Sequence, residues 1–181
     1  MKIQNTNSRG FTLIELLVVI AIIGALSGVV LQSLNSARVK SRDTQRLASI
    51  DQINKALELA ATGGTNSLPG GGNNYFCVGL TADTSPTCSV SATKYSATLN
   101  TIITTNLAGT IPRDPRFING IGTAYLYNSN VDPDGAGTVL TTGAYLSWVK
   151  EATGTNCGRG SAYTVAVTNG TQCFLRIGNA I

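Results

Sequence analysis

The 181-residue chain contains no histidine, and only 12% of its residues are charged. It therefore lacks the side chain that most often serves as a general base at neutral pH and as a metal ligand. The chain also has no glycine-rich phosphate loop between a strand and a helix, and its few acids form no catalytic constellation. The composition gives no support for an enzyme and disfavours a zinc site.

Proline is scarce at the N-terminal end, where none precedes Pro69. Apolar residues dominate the run from Leu16 to Leu31, which with its flanks approaches the roughly 20 residues that cross a bilayer. Glu15 stands at the start of this run, and an acid at the middle of a membrane helix costs roughly 2.5–3.5 kcal/mol. We therefore interpret Glu15 as a functional residue.

Two junctions near the apolar run could be cleaved during export. Ala25-x-Ser27 resembles a conventional signal-peptide site, but it lies inside the apolar run. The junction between Gly10 and Phe11 lies before the run. A cut there would remove only the polar leader and leave the apolar helix on the mature chain.

The segment Gly10-Phe11-Thr12-Leu13-Ile14-Glu15, with the apolar helix after it, closely resembles the class III signal of type IV pilins and pseudopilins. The resemblance is strongest over residues 1–61. It implies that Gly10 is the cleavage-site residue, Phe11 the N-methylated terminus and Glu15 the assembly glutamate. As partners it implies a prepilin peptidase and methyltransferase, further copies of this chain in a helical homopolymer, and an inner-membrane assembly platform with its motor.

Two roles for Glu15 follow from electrostatics. The carboxylate can pair with the free amine of Phe11 on a neighbouring subunit, which favours one axial register because an unpaired buried charge is costly. Alternatively, Glu15 only suits the positive end of the helix dipole. Gly24 and Gly28 lie farther along the run, where they either let two helices approach closely or weaken the helix locally.

The helix is predicted to continue from Phe11 to Ala61, roughly 75 Å at 1.5 Å per residue. Its second half carries an apolar stripe made of Leu47, Ile50, Ile53, Leu57 and Ala60. We expect the charged residues of segment 38–46 to form a solvated face or to pair with neighbouring subunits, in preference to binding lipid headgroups or nucleic acid. From Phe11 onward, 11 basic and 9 acidic side chains give a formal charge of +2, so no specific nucleic acid is predicted.

Lys2 and Arg9 precede the apolar run and favour a cytoplasmic leader, so the C-terminal domain is expected outside the membrane. An even number of cysteines agrees with an oxidising compartment. Four cysteines allow three pairings. We favour the two with short loops, which join Cys77 to Cys88 and Cys157 to Cys173.

The domain after residue 61 is predicted to contain one short helix and a small antiparallel sheet. Asn169-Gly170 indicates a type I′ hairpin between the last two strands and is favoured over a role of Asn169-Gly170-Thr171 as a glycosylation site. The helix is placed at 96–106 and the strands at 124–127, 144–149, 163–167 and 173–177. This order predicts an α+β pilin fold, a long N-terminal helix packed on a small antiparallel sheet. Its parts are a leader (1–10), a transmembrane or filament-core helix (11–34), an amphipathic continuation (35–61) and a globular head (62–181).

Two loops draw attention in the head. Pro112-Arg113-Asp114-Pro115 resembles a loop of many pseudopilins and minimal pilins, and we interpret Asp114 as a residue that braces the turn. The segment that begins at Asn130 matches the opening of a calcium loop, with oxygen ligands at Asn130, Asp132 and Asp134. Position twelve is Thr141 instead of the usual glutamate. An Asx-rich turn is the favoured alternative, and no other cofactor is expected.

The sequence therefore predicts a structural subunit of a type IV pilus or pilus-like filament, made as a single-pass precursor in the cytoplasmic membrane and assembled at the cell surface. Within the family the alternative is a pseudopilin of a type II secretion system. From another class, the alternative is a monomeric membrane-anchored binding domain, which needs neither Gly10 nor Glu15. Adhesion, motility, DNA uptake and secretion are not distinguished by these features.

Overall fold

The structure is a computed structural model that describes most of the chain in eleven segments. For 130–131 and 162–167 it describes the backbone alone. The described residues are 10–62, 68–70, 75–79, 95–107, 109–116, 125–131, 143–152, 154, 156–159, 162–167 and 170–178.

The long N-terminal helix α1 runs without a break from Leu13 to Thr62, a length of 50 residues. It confirms the predicted helix to within two residues at its start and one at its end. The chain divides into two compact units, Met1–Arg38 and Val39–Ile181, so α1 contributes to both. By length and composition, α1 contains a stretch that could cross a membrane.

In the second unit, α1 buries one stripe of apolar side chains. Ile50, Ile53 and Leu57 are fully buried, and Ala60 is nearly so. Their spacing of three and four residues places them on one helix face. This face forms the main hydrophobic core together with side chains of the sheet and of a second helix.

The sheet has five antiparallel strands, of which the first has two residues and the other four have six to eight. The strands are β1 (Phe76–Cys77), β2 (Leu126–Val131), β3 (Gly143–Lys150), β4 (Ala162–Val167) and β5 (Gly170–Arg176), and they lie in the order β1-β2-β3-β5-β4. In the central register, Leu146 of β3 lies opposite Tyr127 of β2 and Leu175 of β5. These side chains belong to the core that contains the α1 stripe.

The second helix, α2 (Ala97–Asn106), begins at a capped residue. Oγ of Ser96 accepts a hydrogen bond from the backbone N–H of Leu99 at 3.1 Å, as expected of a serine N-cap. The helix buries Leu99, Ile102 and Ile103 in the core. The predicted helix at 96–106 is thus confirmed.

The predicted strands correspond to β2 to β5, with ends shifted by one to four residues. The β4–β5 hairpin is confirmed, but the predicted place of Gly170 in its turn is wrong, since Gly170 opens β5 opposite Val167. The residue is needed for a different reason. A Cβ at this position would lie 2.2 Å from the carbonyl oxygen of Lys150 in β3, so the approach of the backbones excludes any side chain.

The disulfide between Cys157 and Cys173 is present and confirms the second predicted pairing. Cys77 is buried and disulfide-bonded. Its predicted partner Cys88 lies outside the described residues, so that pairing stays a prediction. The predicted calcium ligands Asp132 and Asp134 also lie outside them, as does the side chain of Asn130.

Candidate functional site

The residues predicted to direct processing and assembly lie at the start of α1, where Thr12 and Glu15 close the first turn. The backbone N–H and the Oγ1 hydroxyl of Thr12 donate to Oε2 of Glu15 at 2.9 and 2.7 Å. In return, the N–H of Glu15 donates to Oγ1 of Thr12 at 3.3 Å. This reciprocal arrangement is a capping box, so Glu15 has a local partner within the single subunit.

Gly10 and Phe11, the predicted processing residues, precede this turn. Phe11 is 89% exposed, and no heavy atom lies within 4 Å of the position that a Cβ would take at Gly10. The junction between them is therefore uncovered by the described part of the chain. A protease could reach it without unfolding α1.

The surface of α1 beyond Glu15 is apolar and open. Every large apolar side chain from Phe11 to Leu34 is exposed, from 43% at Leu34 to 89% at Phe11. Gly24 and Gly28 lie within this stretch and have nothing within 4 Å of a built Cβ. Exposed apolar area of this extent is typical of a membrane or protein interaction surface.

A second group of functional interest lies in the other unit and consists of six charged side chains. We call this group the Arg46 cluster: Arg42, Asp43 and Arg46 of α1, Asp114 and Arg116 of the 112–116 loop, and Glu151 after β3. Three positive and three negative side chains thus bring the helix, a loop and the end of a strand together.

Arg46 is the centre of the cluster, and its side chain is 1% exposed. Its guanidinium forms a two-pronged contact with Asp114, with Nε to Oδ2 at 2.7 Å and Nη2 to Oδ1 at 3.0 Å. Nη1 donates to Asp43 at 2.8 Å, and Nη2 also lies 2.8 Å from Oε1 of Glu151. A buried guanidinium with all its faces paired in this way is the arrangement in which a buried charge is tolerated.

The carboxylates of the cluster have further partners. Both oxygens of Asp43 accept backbone N–H groups, those of Glu151 and Ala152, at 2.9 Å each. Asp114 accepts the N–H of Arg116 at 2.8 Å, which confirms the predicted role of Asp114 in bracing its turn. Asp43 and Asp114 thus fix backbone as well as side chains.

Charge pairing raises the pKa of the Arg46 guanidinium and lowers the pKa of the Glu151 carboxyl. Burial alone lowers the pKa of Arg46, but its hydrogen bonds to Asp114, Glu151 and Asp43 outweigh this effect, so the pKa is raised. The hydrogen bond from Arg42, followed by that from Arg46, lowers the pKa of Glu151 to about 2 against the opposing effect of burial. Both shifts keep the ionised forms in place.

The cluster corrects the expectation that segment 38–46 forms a solvated face or pairs with neighbouring subunits. Arg46 lies four residues before Ile50, in line with the buried stripe of α1. A sequence signal therefore existed, namely a long cation at a core position of the stripe. No comparable sequence signal marks Glu151, since its role depends on where β3 ends.

The short segment 156–159, which contains Cys157 of the disulfide, also contacts α1. Arg159 forms an ion pair with Asp51, and a Cβ at Gly158 would lie 2.9 Å from Leu47. Lys150 donates to the carbonyl oxygen of Asn156 at 2.6 Å. Together with the Cys157–Cys173 bond, these contacts hold the segment against both the helix and the sheet.

Comparison with known proteins gives matches to pili and fimbriae. A family described as the prokaryotic N-terminal methylation motif matches residues 5–31. The chain is 45% identical over 53 residues to the type IV wide pilus major component PilA4 of Thermus thermophilus, covering 29% of this chain and 40% of that protein. It is 38% identical over 65 residues to a probable minor fimbrial protein of Dichelobacter nodosus, covering 36% of this chain and 41% of that protein.

The chain spans about two fifths of the length of these curated relatives. No solved structure matches it significantly. The matched motif nevertheless contains Gly10, Phe11, Glu15, Gly24 and Gly28, the residues singled out on α1. The N-terminal segment of the chain is therefore similar to that of type IV pilins and fimbrial proteins, and it carries their N-terminal methylation motif.

Proposed function

We propose that this protein is a structural subunit of a type IV pilus or pilus-like filament and polymerises through the apolar part of α1. The observation that carries the proposal is the open apolar surface between Phe11 and Leu34, which begins at a single carboxylate, Glu15. Such a surface is costly in water and is covered either by lipid or by further helices of the same kind. Lipid would cover this surface in the precursor, and the helices of neighbouring subunits would cover it in the filament.

The processing step provides the charge that Glu15 requires. A prepilin peptidase would cut after Gly10, and the new amine at Phe11, once methylated, would still carry a positive charge. In the filament this amine would pair with Glu15 of a neighbouring subunit. An incoming subunit in the wrong register would leave both charges unpaired among apolar side chains, which strongly disfavours that register.

The capping box offers a sharp test, because glutamine can replace glutamate in this motif while the negative charge is lost. We expect Glu15→Gln to keep the helix start and to reduce surface filaments by at least about tenfold, the factor that 1.4 kcal/mol per contact would give. Filaments would be sheared from cells, their subunit content would be quantified by immunoblot, and the filaments would be counted by electron microscopy.

Glu58→Gln is the matched control, since it removes a carboxylate from the same helix within the second unit. It should leave filament number at the wild-type level. If Glu15→Gln cells make normal filaments, Glu15 is only a helix cap and the charge-pairing mechanism is wrong. If the wild type makes no filaments and a deletion strain secretes protein normally, the monomeric membrane-anchored domain becomes the better account.

A pseudopilin of a type II secretion system is the second candidate, and the 112–116 loop is compatible with it. The loop resembles one found in many pseudopilins and in minimal pilins, and here its Asp114 is buried against Arg46. The name of the Thermus thermophilus relative, a major pilus component, favours the first candidate. Filaments that extend beyond the cell surface would support a pilin, while loss of protein secretion in a deletion strain without such filaments would support a pseudopilin.

Other features of the proposal concern partners and packing. An inner-membrane platform and motor would extract the precursor from the cytoplasmic membrane, with the head on the outer side. Gly24 and Gly28 would permit either close helix packing or local extension in the filament.

A further inference from the structure

The part of α1 up to Arg38 and the part from Val39 onward differ in the contacts that support them. Side chains from Gly10 to Arg38 are all exposed, and in this stretch only the helix's own hydrogen bonds hold the backbone. Gly24 and Gly28 lower its helix propensity, and Oγ of Ser27 donates to the carbonyl oxygen of Ile23 at 2.7 Å, a contact that often bends helices. Local opening of a helix is easiest where such tertiary support is missing.

The Arg46 cluster lies where this support begins. In the described structure, Arg42 is the first residue of α1 with a hydrogen bond to another element, and Asp43 and Arg46 follow within one turn. The first fully buried apolar residue of α1, Ile50, comes only one turn later. The charged contacts therefore precede the apolar core along the helix.

Each contact that α1 makes in the cluster depends on the helical conformation of residues 42–46. Arg42 and Arg46 reach Glu151 from successive turns, while Asp43 holds the N–H groups of Glu151 and Ala152. Unwinding this turn would break all of these contacts at the same time. It would also leave Asp114, whose side chain is 1% exposed, without its cation.

We propose that the Arg46 cluster is a stop for helix opening: unwinding of α1 that starts in the exposed stretch ends at Arg42–Arg46 and does not reach the apolar core of the head. The device confines the conformational freedom of α1 to the residues before Arg42. It is a property of the single subunit and does not rest on the proposed filament.

Amide hydrogen exchange of the full chain in detergent micelles tests this inference, because it reports opening residue by residue. In the wild type, we expect a step in protection between residues 35–38, which exchange fast, and residues 42–46, which exchange at least about tenfold more slowly. In Arg46→Met, the step should move to Ile50, so that residues 42–46 join the fast class. Residues 50–60, β3 and β5 should remain in the slow class.

Arg38→Met is the matched control, because it makes the same change on an exposed side chain of the same helix. It should leave the step in place. Should Arg46→Met fail to fold, Asp114→Asn removes one charge of the central pair with little change in shape, and the same shift of the step is expected.

Two results would overturn the inference. One is a wild-type protein in which residues 42–46 exchange as fast as 35–38, since no stop then exists at the cluster. The other is a variant in which residues 42–60, β3 and β5 all exchange in one class, since the cluster would then be part of a single cooperative unit.

Discussion

At the scale of single residues, the chain places its costliest charge where it can be fully paired. Arg46 occupies a core position of α1, yet its guanidinium contacts Asp43, Asp114 and Glu151. Removing one partner from such a group leaves an uncompensated buried charge, which costs roughly 3–5 kcal/mol of stability. The pairing therefore determines how strongly residues 42–46 of α1 are held against the 112–116 loop and the end of β3.

Glu151 gives this pairing a pH dependence. Its pKa is lowered to about 2 in the folded protein, below the ordinary value of 4.5. The ion pairs thus contribute stability above pH 4.5, and this contribution is lost as the pH falls towards 2. We expect the free energy of unfolding to fall by about 1–3 kcal/mol more over this range in the wild type than in Glu151→Gln.

Urea titrations at several pH values, followed by the fluorescence of Trp148, would measure the difference. Glu58→Gln controls for the loss of one carboxylate outside the cluster. Equal pH slopes for the wild type and Glu151→Gln would show that the contacts of Glu151 add nothing to stability.

Gly170 leads to a second prediction at this scale. A Cβ there would collide with the carbonyl oxygen of Lys150, whereas Gly154 has nothing within 4 Å although its φ is also positive. We expect Gly170→Ala to lower the free energy of unfolding by about 3 kcal/mol or more, and Gly154→Ala by about 1 kcal/mol. Urea denaturation of both variants would measure this, and equal losses would mean that the collision is relieved by a small shift of β3.

At the scale of elements, local patterns predicted α1, α2 and the four longer strands, because periodicity and capping are properties of neighbouring residues. Ser96 signals the start of α2, and the β-branched or aromatic runs signal β2 to β5. The strand β1 was missed because two residues carry no period. The turn was misplaced because Gly170 is required by the neighbouring strand β3, which sequence spacing does not show.

The Cys157–Cys173 disulfide is expected to stabilise the β4–β5 part of the sheet. Cys157 and Cys173 are 16 residues apart and enclose all of β4. Closing a loop of this size typically stabilises a protein by about 2–4 kcal/mol. We expect the double variant Cys157→Ala/Cys173→Ala to unfold at a correspondingly lower urea concentration.

Trp148 reports on this site, because it lies opposite Cys173 in the sheet. The single variant Cys77→Ala serves as a comparison for the loss of a bridge elsewhere. An unchanged unfolding midpoint for the double variant would show that the contacts of Arg159, Gly158 and Lys150 hold the segment without the bond.

At the scale of the whole molecule, the N-terminal motif can be recognised from the sequence, but the contacts that hold α1 against the rest of the second unit cannot. Gly10, Phe11 and Glu15 form a contiguous motif, so their pattern is readable without a structure. The Arg46 cluster joins residues that are 68 and more positions apart, such as Arg46 and Asp114. Pairings of this kind depend on the tertiary fold and are invisible to local reasoning.

The central claim is that the chain is processed and then polymerises, and one measurement tests it most directly: the intact mass of the protein in filaments sheared from the native cell surface. The account predicts the mass of residues 11–181 with one added methyl group on Phe11. A protein that retains Met1, or that starts after Ser27 and is absent from sheared filaments, would contradict the account.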